Sequence, residues 1–329
     1  MTQYTDRDAL VIMCVGSSNM AGWQTDNDLV VSDTLTPATL PNIKMWGRYN
    51  SGNKGNLNGS YDWEDMTSTR NFQATGMAPP YAIGRKYYER FYSPAAKGQP
   101  VSAPKNVYII QFAFSTMRCP LDTATEVSPN SAIHPGSENV SDTPLWQIFA
   151  EGYMTEAIQN LQDDTSIDRI LYDGFYYLGD ETAAYDPGTV AVPGAFASQK
   201  TRFMVAGGLQ DMVAATEFYL SVPRGSLPFV GVKPPVQYII NAQVNATTGL
   251  QDIRDVRDQY DRFLEISPNS AQVIDGNDFT LKTDDAHYTA EAMLRVGEAL
   301  YAARQRTGSQ PIQATADVRT AVVPIDTDE

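Results

Sequence analysis

The sequence predicts an α/β protein, a three-layer α/β/α sandwich around a central, mostly parallel sheet of about five strands. Short apolar runs of the buried-strand type alternate with longer segments of helical period along most of the chain. That alternation requires crossover connections, which give parallel strands covered by helices on both faces. There is also no internal repeat and no low-complexity segment, so one domain is the simplest division of 329 residues. The domain is drawn at 1–307. A tail at 308–329 has no helical period and is read as an extended arm.

Leu10–Val15 is the first predicted strand, an unbroken apolar run. Residues 25–75 follow as a long polar insertion rich in Asn, Gly, Asp and Thr, too long for a plain connection. Pro79 and Pro80 mark a helix start ahead of Tyr81–Phe91. Asn106–Phe112 is the second strand. Thr143 and Pro144 suit the N-cap and first position of a helix running to about Leu161. Ile167–Tyr177 is the third strand, Phe196–Leu220 a helix, Val236–Val244 the fourth strand and Ile253–Ile266 a helix with a charged outer face. Ala271–Ile274 is a short fifth strand. Thr289 caps a final amphipathic helix that ends near Arg304.

Composition excludes several functions. A net charge of -15 disfavours nucleic acid, whose phosphates call for basic patches, and anionic membrane surfaces. Two cysteines, Cys14 and Cys119, provide neither a disulfide framework nor a zinc spacing, and both read as buried free thiols. No cofactor and no metal is expected. No run approaches a membrane span, and the polar start MTQYTDRD lacks the basic and apolar regions of a signal peptide. The expected location is therefore cytoplasmic as synthesised, or the virion surface for a phage-encoded chain.

The first strand runs into Gly16-Ser17-Ser18-Asn19-Met20. In open parallel sheets, sites form beyond the carboxyl ends of strands, so a serine here is a candidate nucleophile. Neither the phosphate-binding Gly-Lys-Ser/Thr loop nor the G-x-S-x-G elbow fits this stretch. A serine nucleophile needs a base, and the chain has two histidines. His134 lies in an irregular loop before a proline. His287 is the stronger candidate, because Asp284 precedes it by three residues and can fold back onto its near ring nitrogen. Asp285 is the rival orienter.

Taken together, these stretches resemble the SGNH (GDSL-like) hydrolases, in particular the sialate O-acetylesterase-like, or carbohydrate esterase family 6-like, branch. GSSNM at 16–20 matches that branch's G-Q-S-N-M block, and Asp284 to His287 followed by a helix matches its D-x-x-H block. GMAPPYAIGRKYYE, YYLGDETAAY and LQDIRDVRDQY match its middle blocks more loosely, and the likeness spans about residues 8–304. The resemblance implies the SGNH-hydrolase, flavodoxin-like fold. It also implies a serine esterase that removes O-acetyl groups from a carbohydrate, with Ser18 as nucleophile, His287 as base and Asp284 as orienter. It assigns the oxyanion hole to Ser18, Ser115 and Gly179, and substrate contacts to Asn19, Trp23 and Asp180. Nearby aromatic residues, Trp46, Tyr49, Tyr61 and Trp63 among them, suit stacking on sugar rings.

The sequence departs from the family in two places. Ala113, Phe114 and Ser115 stand where the second block carries glycines, and Leu178 stands where the third carries an amide donor. Loss of one oxyanion donor typically costs roughly 3–4 kcal/mol of transition-state stabilisation. The alternative reading is therefore a catalytically weakened module on the same scaffold. It would serve as a glycan-binding or structural component, for example of a phage virion, with virion or homo-oligomeric partners.

Overall fold

The computed structural model describes residues 3–22, 39–46, 62–67, 77–96, 102–113, 152–179, 195–237, 246–284 and 287–317. Its elements run β1 (Asp8–Gly16), α1 (Ser18–Ala21), β2 (Thr39–Trp46), β3 (Trp63–Thr67), α2 (Pro79–Phe91), β4 (Asn106–Ala113), α3 (Met154–Gln162) and β5 (Arg169–Leu178). They continue with α4 (Ala195–Tyr219), β6 (Phe229–Lys233), α5 (Ala246–Ile266), β7 (Ala271–Asp275), α6 (Ala290–Arg306) and β8 (Ile312–Gln313).

One sheet holds all eight strands, in the order β3-β2-β4-β1-β5-β6-β7, with β8 paired to β5. β3 and β8 are antiparallel to their neighbours and the other pairings are parallel. The sheet is thus larger than the five strands predicted. β2 and β3 lie inside the polar 25–75 stretch; β3 is the edge strand and β2 its inner neighbour, and exposed residues in both, Thr39, Pro41, Asn42 and Asp65, break the apolar run that marks a buried strand. β8 is only two residues long. Most of the predicted fourth strand, Val236–Val244, lies outside the described residues. A strand that was not predicted stands just ahead of it, Phe229–Lys233, and Pro234 and Pro235, which have no N–H to donate, follow its end.

The other predicted elements lie close to their expected positions. Thr289 accepts from Ala292 N–H at 3.2 Å and caps α6 as expected. The predicted helix start at Thr143 and Pro144 lies outside the described residues, as do Cys119, His134, Tyr49 and Tyr61. Cys14 is fully buried and unbridged, and burial pushes its thiol well above the usual range.

Helices cover both faces. Apolar side chains of β1, β4 and β5 pack with α3, α4 and α5 on one side and with α2 and α6 on the other. α2 and α6 approach closely at Gly297, where an added Cβ would stand 2.5 Å from the Pro79 carbonyl oxygen. Asp173 sits at an irregularity between β1 and β5 and is buried with Arg304 of α6. Arg304 Nη2 donates to Asp173 Oδ1 at 2.7 Å, and Tyr87 of α2 donates to the other carboxylate oxygen. This charged centre ties α2, β5 and α6 together. After Gly308 the chain turns back along β5. Thr315 N–H donates to Ser221 O at 3.0 Å, and Ser221 Oγ donates to Asp317 O at 2.8 Å.

β1 lies between β4 and β5, the point where the chain, having built one side of the sheet, begins the other. A crevice opens beyond the carboxyl ends of strands at such a reversal. Ser18 stands there.

Candidate active site

Gly16, the last residue of β1, lies so close to β5 that a Cβ would stand 2.1 Å from the Leu178 carbonyl oxygen. No other residue permits that approach. Ser17 N–H uses it, donating to the same oxygen at 2.8 Å. The chain then turns directly into α1. Ala21 N–H donates to Ser17 O at 3.0 Å, and Gly22 ends the turn in the left-handed region at φ 74°. From the other side, Gln111 of β4 donates its Nε2 to Met20 O at 2.8 Å. Ser18 is therefore the first residue of a single helical turn gripped by both neighbouring strands. Ser18 is 4% exposed, whereas Ser17 is 1% exposed and its Oγ has no partner among the described residues.

The histidine arrives on a hairpin-like return between β7 and α6. Lys282 N–H donates to His287 O at 2.7 Å and Thr289 N–H to Thr280 O at 3.1 Å, which pairs Leu281 with Tyr288. Asp284 sits in the turn and uses both carboxylate oxygens on one residue. Oδ1 accepts from His287 N–H at 2.9 Å, and Oδ2 lies 2.7 Å from His287 Nδ1. A carboxylate beside Nδ1 fixes the proton there and leaves the Nε2 lone pair as an acceptor. His287 Nε2 lies 3.0 Å from Ser18 Oγ. Three residues that are 269 positions apart at their extremes in the chain thus form one hydrogen-bonded line ending on a serine hydroxyl. Ser17, the other serine of the pair, has no such contact.

Asn19, read as a substrate contact, is 4% exposed, and its Oδ1 accepts from Tyr288 N–H at 3.0 Å. Tyr288 escaped the sequence reading, since nothing about a tyrosine after a histidine marks it. Its ring is buried edge-on against Phe279, with centroids 6.0 Å apart, and its hydroxyl stands 2.7 Å from where a Gly276 Cβ would be. Burial raises the Tyr288 hydroxyl pKa above its ordinary range. Gly179 follows Leu178 at the end of β5. Because the Leu178 carbonyl faces Ser17 and a trans peptide sets C=O and N–H on opposite sides, the Gly179 N–H is directed away from β1. Trp46 is 2% exposed and packs in the core against Trp63, so it offers no open face for a sugar ring. Ser115, Trp23, Asp180 and Asp285 lie outside the described residues. Among the described residues there is no cluster of side chains suited to a metal, and no helix is long and apolar enough to cross a membrane.

No protein-family model matches the chain, and no curated protein matches it. Solved structures do. A protein from Arabidopsis thaliana superposes with a TM-score of 0.52 at 15% identity, over 90% of this chain and 98% of its own. A carbohydrate acetylesterase from Xanthomonas citri superposes with a TM-score of 0.51 at 17% identity, over 90% of this chain and 56% of its own. The chain has the SGNH-hydrolase fold. Within that fold, Ser18 occupies the end of the central strand and His287 the loop ahead of the last long helix, where the two matching sequence blocks fall.

Proposed function

We propose that the chain is a serine ester hydrolase that removes acetyl groups from a carbohydrate. The observation that carries the reading is the line Asp284–His287–Ser18, with contacts of 2.7 Å at Nδ1 and 3.0 Å at Nε2. Ser18 Oγ attacks the ester carbonyl carbon while its proton passes to His287 Nε2. The tetrahedral adduct collapses, the bond to the sugar oxygen breaks, and Nε2–H protonates that oxygen as it leaves. Water then attacks the acetyl-serine, again giving a proton to Nε2. Acetate departs and Ser18 regains its hydrogen. Asp284 stabilises the imidazolium formed in each half. The Ser18 N–H, in the first turn of α1 where N–H groups lack intrahelical acceptors, is the oxyanion donor we assign. The carbohydrate part of the reading is supported by the likeness in fold to the Xanthomonas acetylesterase and by the sequence blocks.

The test is turnover of p-nitrophenyl acetate and of an acetylated polysaccharide by the wild type beside Ser18→Ala. Serine-dependent release of acetate from both substrates is the expected result. A wild type no faster than Ser18→Ala on either overturns the reading. That outcome would favour the weakened glycan-binding or virion module, which the apolar, 3% exposed Leu178 supports.

A further inference from the structure

We propose that Asn19 is a positioning residue: its side-chain carbonyl holds the strand bearing His287 in register, so that Nε2 reaches Ser18 Oγ. The inference rests on the ester-hydrolase reading and deepens it. It starts from the pairing of Leu281 with Tyr288. The flanking bonds, from Lys282 to His287 and from Thr289 to Thr280, make this a pair that exchanges no bonds of its own. The Tyr288 N–H therefore points away from Leu281, toward α1, in a place where the tyrosine is almost wholly buried. A buried N–H without an acceptor carries a desolvation penalty. Asn19 Oδ1, at 3.0 Å, is that acceptor.

The contact has a second consequence. Asn19 follows Ser18 and Tyr288 follows His287, so the bond between Asn19 and Tyr288 is a rung beside the bond between Ser18 and His287, and both span 269 residues. Asn19 shares with Ser18 the single helical turn gripped by β4 and β5. Tyr288 is anchored by its ring on Phe279 and by the space above Gly276. The asparagine thus joins two rigid pieces at the one place that sets the distance between hydroxyl and imidazole. An apolar residue of the same size would fill the space without accepting the N–H. At 4% exposure the side chain is ill placed to touch substrate.

The experiment compares the wild type with Asn19→Leu, Asn19→Asp and Ser18→Ala, measuring kcat and KM on p-nitrophenyl acetate and amide hydrogen exchange at Tyr288. Asn19→Leu keeps the branching of the side chain, adds some bulk and removes the acceptor. Asn19→Asp keeps an acceptor at the same place. A displacement of about 1 Å costs roughly 10²-fold in rate, so kcat of Asn19→Leu should fall by about that factor. KM should stay within roughly twofold, because the residue binds no substrate. Exchange at Tyr288 should accelerate in Asn19→Leu and stay slow in Asn19→Asp, which should recover kcat to within about tenfold of wild type. A Ser18-dependent wild type with undiminished kcat in Asn19→Leu overturns the inference alone. So does equal loss in Asn19→Leu and Asn19→Asp, or a change confined to KM. A wild type no faster than Ser18→Ala overturns the ester-hydrolase reading, and the inference with it. If Asn19→Leu does not fold, Asn19→Asp carries the test: unprotected Tyr288 in that folded variant overturns the inference.

Discussion

Replacing Asp284 with asparagine separates the two tasks that one carboxylate performs. In the native site Oδ1 accepts from the His287 N–H at 2.9 Å and Oδ2 from Nδ1–H at 2.7 Å. Asparagine has one oxygen and one NH2. If the oxygen keeps the backbone N–H, the NH2 faces Nδ1 and forces the ring into the tautomer protonated at Nε2, which cannot take the Ser18 proton. If the oxygen keeps Nδ1–H, the NH2 opposes the His287 N–H and the turn opens. Either choice damages the base. In the Ser-His-Asp template, loss of the charge and tautomer at a buried aspartate lowers kcat about 10⁴-fold. The Asp284 side chain is 38% exposed, so water screens part of that contribution and about 10²- to 10³-fold is expected. Steady-state hydrolysis of p-nitrophenyl acetate measures it, with KM nearly unchanged. An Asp284→Asn variant keeping more than about a third of wild-type kcat would refute the assignment of Asp284 to His287 in catalysis.

Further predictions concern the scaffold. Gly16→Ala places a methyl group 2.1 Å from the Leu178 oxygen, so β1 and β5 must part; a loss of about 1–3 kcal/mol or more in urea denaturation, together with reduced kcat, is expected. Arg304→Met leaves the buried Asp173 carboxylate without its cation and should cost about 3–5 kcal/mol by the same measurement, with a smaller loss when Asp173→Leu is added. Asp8 is desolvated, which alone would raise its pKa, but the Arg169 guanidinium and the Thr5 N–H outweigh burial and bring it below the usual carboxylate value. Asp275 is likewise desolvated and is lowered by Arg257 and the Asn277 N–H. A depressed folded-state pKa adds stability above the unfolded value of about 3.9, and that stability is lost as the pH falls through the folded value. Denaturation midpoints measured downward from pH 6 should therefore drop on the acid side, and Arg169→Met should flatten that drop.

The parts of the fold that could be read from the sequence are those where one physical signal dominates. β1 and β4 are buried on both faces and appear as largely apolar runs. α6 announces itself through Thr289 and a steady helical period. β3, at the edge of the sheet, and β2, in which Pro41 and Asn42 are exposed, give no such signal. β6 shows the limit of apolar runs: Phe229–Lys233 is only five residues long, and its pairing with β5 and β7 is what marks it as a strand. The candidate triad was legible because Asp284 and His287 are three residues apart and Ser18 ends a core strand. The role of Asn19 was not, since its partner is a backbone N–H and carries no residue identity. The close approach of Gly16 to Leu178 was equally invisible, for the carbonyl belongs to a strand known to be adjacent only once the sheet is built.

The 269-residue separation of hydroxyl and imidazole has a consequence for the history of each molecule. β1 is made early and sits in the middle of the sheet, but the turn that carries His287 leaves the ribosome after almost every other strand. Until α6 docks against α2 and Arg304 finds Asp173, His287 is not held beside Ser18. A nascent or half-folded chain therefore carries an unactivated hydroxyl, and ester-cleaving activity is expected to appear last, as a report that the C-terminal helix has docked.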